Sequence, residues 1–93
     1  MVENAEKMGA YFLEGLKQIK DSKIKKVRGK GLLIGLEFYP DVGGARRYCE
    51  ALMEKGLLCK ETHDNIIRFA PPLIITQDTI DWALERIEKT IKG

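Results

Sequence analysis

A chain of 93 residues and 10.6 kDa, 44% hydrophobic and 32% charged, has the size and balance of one small globular domain, which excludes disordered, collagen-like and coiled-coil classes. Its net charge of +2 does not by itself point to nucleic acid, and no run of about 18 apolar residues is present to span a membrane. The first residues have neither the basic n-region nor the apolar h-region of a signal peptide, and two cysteines, Cys49 and Cys59, are too few for a disulfide framework; both features lead to the expectation of a reducing, cytoplasmic location.

Ala5, Met8, Phe12, Leu16 and Ile19 recur at three- and four-residue spacing and predict a helix over Val2 to Ile19 with one buried stripe. Lys17, Lys20 and Lys23 fall near its end, where cations suit the helix dipole, and Asp21-Ser22 break the pattern. From Ile24 to Phe38 the period changes to two short strand segments around a glycine kink at Gly29 and Gly31. The second is buried, with Leu32, Ile34, Leu36 and Phe38 on one face and Leu33, Gly35 and Glu37 on the other. Pro40 to Gly44 reads as a turn. Ala45, Tyr48, Cys49, Leu52 and Met53 form the stripe of a second helix that ends at Lys55, with Gly56 as its stop.

Leu57 to Glu61 predicts a short strand, His63-Asp64-Asn65 a turn, and Ile66 to Ala70 a second strand with Ile67 and Phe69 on one face and Ile66 and Arg68 on the other. Pro71-Pro72 end it, because proline cannot donate to the ladder. Thr76 is placed to cap a last helix that runs to about Lys92, with Ile80, Ala83, Leu84, Ile87 and Ile91 as its stripe and Trp82 off it. The order predicts an α+β domain: a small, mostly antiparallel sheet with helices packed on one face.

Several chemical signals dissolve on inspection. Gly29-Lys30-Gly31 with Gly35 has a spacing one residue too long for a dinucleotide fingerprint and leads into a strand rather than a helix; a kink that lets the backbone pack closely accounts for it better. Residues 1–30 hold eight Lys/Arg against four Asp/Glu, but the run from Lys17 to Lys30 has no interleaved aromatics and reads as a solvated helix end and loop. Cys59, Glu61, His63 and Asp64 include one histidine and no second cysteine pair, so a metal site is not expected, and the two cysteines read as buried thiols.

Arg68 stands apart. It lies in Ile66-Ile67-Arg68-Phe69-Ala70, where every neighbour is apolar. A guanidinium buried there needs a partner, and its rigid fork matches a carboxylate; the alternative is an edge-strand arginine whose head reaches solvent.

Val27-Arg28-Gly29-Lys30-Gly31-Leu32-Leu33-Ile34-Gly35 resembles the glycine-kinked strand in the C-terminal domain of the class III aminotransferases, enzymes of fold-type I that use pyridoxal 5'-phosphate. Glu3 to Gly9 resembles the helix before it. Gly56 to His63, followed by Ile66-Ile67-Arg68-Phe69-Ala70-Pro71-Pro72-Leu73, is the sharpest match, and Thr62-His63 with Phe69-Ala70 resembles the ornithine-specific branch more than the acetylornithine one. The resemblance covers essentially the whole chain. It implies a parent enzyme in which a large-domain lysine holds the cofactor. That parent would transfer the δ-amino group of ornithine to 2-oxoglutarate, giving glutamate semialdehyde and glutamate, and would be at least a homodimer.

By the same resemblance Arg68 is the small-domain arginine at the active site. It would face a large-domain glutamate and help to bind substrate carboxylates, while His63 is a turn residue nearby. Nothing in the chain resembles the cofactor-binding lysine, the aspartate at the pyridine nitrogen or the phosphate loop, so no cofactor-binding or catalytic residue is assigned. Residues 1–93 are expected to be the C-terminal small domain of a larger enzyme, inactive alone, with the large domain as partner. The sheet face bearing Ile66 and Arg68 is expected to expose an apolar patch around the arginine. A free-standing regulatory module that binds a small carboxylate through Arg68 is the competing reading.

Overall fold

Antiparallel pairing between alternating apolar strands, roofed by amphipathic helices, generates the architecture. In the computed structural model the order is α1 (Val2–Gln18), β1 (Ile24–Lys30), β2 (Leu33–Phe38), α2 (Arg46–Glu54), β3 (Cys59–Thr62), β4 (Ile66–Phe69) and α3 (Gln77–Lys92). The structure describes residues 2–30, 33–63, 65–69 and 76–93. The sequence expectations at Gly31, Leu32, Asp64 and the Ala70-Pro71-Pro72 strand end lie outside those residues, as does the side chain of Ala5. The sheet order is β1-β2-β4-β3, and each of its three pairings is antiparallel. No described helix is long and apolar enough to cross a membrane.

The two-residue period sorts the central strands as expected. Ile34, Leu36 and Phe38 of β2 and Ile67 and Phe69 of β4 are buried on one face. All three helices cover that face, supplying Phe12 and Leu16 from α1, Tyr48, Cys49 and Leu52 from α2, and Ile80, Ile87 and Ile91 from α3. Aromatic contacts tie the layers together: Phe12 meets Phe69 with ring centroids 5.5 Å apart, and Phe38 stacks on Tyr48 at 4.9 Å. Gly29 does what its position suggested, since a Cβ there would lie 2.9 Å from Leu13 Cδ1; the bare backbone lets β1 close against α1.

Two boundaries move for identifiable reasons. The second helix begins at Arg46, with Ala45 as its buried N-cap. Met53, expected on its stripe, is 56% exposed because the face that meets the sheet is the narrower one through Tyr48, Cys49 and Leu52. The following strand begins at Cys59, not Leu57. Gly56 adopts φ 95 and its N–H reaches Met53 O at 3.0 Å, while Leu57 N–H reaches Leu52 O at 3.1 Å. This is a Schellman closure whose apolar contact joins two buried leucines, so Leu57 completes the helix end instead of entering the ladder, and Leu58 is left exposed. At α3, Thr76 Oγ1 accepts from Thr79 N–H at 3.3 Å, the expected cap.

Replacing Gly56 with Ala puts a Cβ on a left-handed residue and 3.4 Å from Trp82 Cη2, and is expected to lower stability by about 1–2 kcal/mol. Chemical denaturation of wild type and variant checks this; an unchanged midpoint contradicts the closure described.

Candidate functional site

The face of the sheet away from the helices carries the charge. Arg28 of β1 pairs with Gly35 of β2, Gly35 with Arg68 of β4, and Arg68 with Lys60 of β3. Three cations and one glycine therefore form a single row across four strands. The adjacent row runs Lys26, Glu37, Ile66, Thr62. Like charges placed directly opposite each other on paired strands disfavour the sheet by about 0.2–1 kcal/mol, and Lys60 opposite Arg68 is such a pair.

Glu37, the acid on the adjacent row among the described residues, is already engaged. Glu37 Oε1 accepts from Arg28 Nη2 at 3.0 Å, and Glu37 Oε2 lies 3.8 Å from Lys25 Nζ, beside a register shift between Ile24 and Lys26. The remaining arginines are also held. Arg46 Nε donates to Glu50 at 2.8 Å; Arg47 donates to Val42 O at 3.0 Å and lies over the Tyr48 ring; Arg86 donates to Trp82 O at 3.3 Å and lies 4.2 Å from the centre of its ring. Among the described residues, Arg68 is the one arginine whose guanidinium has no hydrogen bond or ion pair.

Of the two readings of Arg68, buried with a partner or reaching solvent, the structure shows the second, on a central rather than an edge strand. Its strand is central, but the alternation that buries Ile67 and Phe69 turns Arg68 outward, where it is exposed. Of the apolar patch expected around it, Ile66 lies on the described part of this face, beside the cleft that Arg68 lines. Ile66 is half-buried, and the exposed large apolar side chains, Tyr39, Met53, Leu58 and Trp82, are not on its rows.

A cleft of about 410 Å³ opens beside the arginine, lined by Arg28, Gly29, Ile34, Gly35, Thr62, His63, Ile66 and Arg68. Gly35 forms its floor. A Cβ there would sit 3.5 Å from Ile66 Cγ2, an ordinary contact, so the fold would accept a side chain and the glycine's effect is to leave room next to Arg68. His63 lies in the turn between β3 and β4 with φ 50, a left-handed conformation for which histidine is enriched. Cys59 and Glu61 lie on the core side of β3 and His63 lies in the turn, while Asp64, the fourth residue weighed as a metal ligand, lies outside the described residues.

An exposed guanidinium with no partner among the described residues, beside an ammonium and over a glycine floor, is suited to bind a small carboxylate through two parallel hydrogen bonds. Lys60, Gly35 and Arg28 were not singled out as its neighbours from the sequence, although one signal was available. A turn centred on residues 63–65 pairs Thr62 with Ile66 and therefore Lys60 with Arg68.

Comparison with known proteins decides the family. The family model described as Aminotransferase class-III matches residues 1–91. The chain belongs to the class-III aminotransferases. An ornithine aminotransferase of Geobacillus sp. (strain WCH70) is 53% identical over 91 residues, 98% of this chain and 22% of that protein. Among solved structures, ornithine aminotransferase PY00104 from Plasmodium yoelii is 48% identical with a TM-score of 0.88, over 97% of this chain and 24% of that one. An acetylornithine aminotransferase from Elizabethkingia anophelis is 47% identical with a TM-score of 0.86, again over 97% and 24%. The chain thus spans about 22% of the length of the curated class-III aminotransferase it matches, and the α+β fold read from the sequence is the one these structures share.

Because Arg68 faces a like charge and holds no described partner, Arg68→Gln is expected to leave the stability of the chain unchanged within about 0.5 kcal/mol or to raise it. A thermal melt reads this; a loss of more than about 1 kcal/mol would reveal a structural partner for the guanidinium.

Proposed function

We propose that this chain is the C-terminal small domain of an ornithine aminotransferase, and that Arg68 binds the substrate carboxylates there. The single observation that carries the reading is the guanidinium of Arg68, which has no partner among the described residues and is held on a rigid central strand beside a cleft. The relatives named ornithine aminotransferase support the donor. The similarly close structure named acetylornithine aminotransferase makes donor choice a matter for direct test.

In the complete enzyme the reaction moves the δ-amino group of ornithine to 2-oxoglutarate and releases glutamate semialdehyde and glutamate. Pyridoxal 5'-phosphate, the family's cofactor, supplies the electron sink for it. The residues in this cleft do not fit that cofactor by themselves: none of the eight is a lysine, and the cations present suit a carboxylate. Anchoring the cofactor therefore falls to the large domain, which is the proposed partner of the open sheet face, in an assembly that is at least a homodimer. Within this chain, Arg68 orients a carboxylate by its fork, Lys60 adds positive field, and Gly35 keeps the approach clear. A cytoplasmic setting is consistent with Cys49 and Cys59 as free thiols.

The test is kinetic. In the complete enzyme, Arg68→Ala is expected to lower kcat/KM for 2-oxoglutarate by about 10- to 100-fold, the worth of a charged hydrogen-bonded pair, while the fold is retained. Ornithine and N-acetylornithine are compared as donors in the same assay, with ornithine expected to be preferred. Residues 1–93 alone are expected to show no transamination when supplied with the cofactor. Unaltered acceptor kinetics in Arg68→Ala would remove the assigned role. Tight, saturable binding of 2-oxoglutarate by the isolated chain would favour a free-standing carboxylate-binding module instead.

A further inference from the structure

Away from the Arg68 cleft, on the helix-covered side of the sheet, the two cysteines of the chain are brought together. Cys49 lies on the buried stripe of α2, and Cys59 is the first residue of β3, with its side chain on the core side. Their Sγ atoms are 3.4 Å apart, and Cys59 Sγ also lies 3.6 Å from the carbonyl oxygen of Cys49 and donates to it. A shortening of about 1.4 Å would bring the sulfurs to the bonded distance of about 2.05 Å. The chain has two cysteines in total, so neither has a competing thiol within the chain.

We propose that Cys49 and Cys59 form a reversible dithiol–disulfide site, oxidised by exchange with a small-molecule disulfide. The proposal is independent of the aminotransferase reading. Cys59 is partly exposed and Cys49 is 4% exposed, which sets the order of events. The Cys59 thiolate attacks one sulfur of the small disulfide, forming a mixed disulfide on Cys59 and expelling one small thiolate. The Cys49 thiolate then attacks Cys59 Sγ, closing the intramolecular bond and expelling the second. The two protein protons end on the two small thiolates, so two protein thiols are oxidised and one disulfide is reduced to two thiols.

The bond would clamp the start of the edge strand to α2, one residue before Lys60 takes its place opposite Arg68. Burial, followed by the hydrogen bond with Cys49, pushes the Cys59 thiol up to about 12, so the thiolate is scarce at neutral pH and the first step is slow. The pair therefore rests as free thiols and responds to sustained oxidation.

The folded protein tests this without any substitution. It is incubated with oxidised glutathione, capped with N-ethylmaleimide in denaturant and digested with trypsin without reduction. Cleavage after Arg47, Lys55 and Lys60 places Cys49 on peptide 48–55 and Cys59 on peptide 56–60. The expected result is that most molecules carry the two peptides joined, with the loss of two hydrogens, and that dithiothreitol separates them. A lasting glutathione adduct on peptide 56–60 with Cys49 capped by maleimide would overturn the proposal, as would both cysteines being recovered with maleimide after prolonged oxidation.

Discussion

The alternation of one four-residue strand governs both the stability and the chemistry of this domain. In Ile66–Phe69, burial of Ile67 and Phe69 under the helices compels Ile66 and Arg68 to the other face. A slip of one residue would bury the guanidinium and expose two core side chains, Phe69 among them with its contact to Phe12. The register is therefore held by hydrophobic burial, and the arginine is carried to the open face by the same alternation. Its position is as rigid as the core on which the strand rests.

What surrounds Arg68 follows from that register. The turn after Thr62 brings Lys60 opposite it, and the pairing with β2 brings Gly35 opposite on the other side. Neither neighbour helps the isolated sheet: one repels the guanidinium and the other offers no side chain to pack. Glu37, the acid on the adjoining row, is drawn to Arg28 and Lys25. A local arrangement that works against the fold and is left uncompensated within the described residues is what the proposed carboxylate site would require. The family supplies a matching chemistry, since both substrates of the proposed reaction carry carboxylates.

The helices and the facing of the strands were legible in the sequence because each rests on a period. The stripe through Phe12, Leu16 and Ile19, the cap at Thr76, the stop at Gly56 and the faces of β2 and β4 all follow from local rules. The start of β3 was not legible, because Leu57 satisfies two patterns and the closure of α2 takes it before the ladder can. Met53 was misplaced because spacing does not tell how wide a face the sheet covers. Arg68 was recognisable as unusual, but its exposure was left open, because apolar neighbours along the chain do not tell whether its face of the strand is covered. The proximity of Cys49 and Cys59 depends on how α2 packs on an edge strand, which no local pattern encodes.

Arg68, the arginine without a partner among the described residues, is the guanidinium proposed to bind a carboxylate. Titrating the chain with 2-oxoglutarate while following the arginine Nε–Hε resonances tests this proposal most directly, with the binding expected to be weak because the large domain proposed to complete the site is absent. The account predicts that the Arg68 resonance moves first and furthest, with Arg46 and Arg86, held by Glu50 and Trp82, nearly still. Equal movement of all five arginines, or a stationary Arg68 while another shifts, would contradict it.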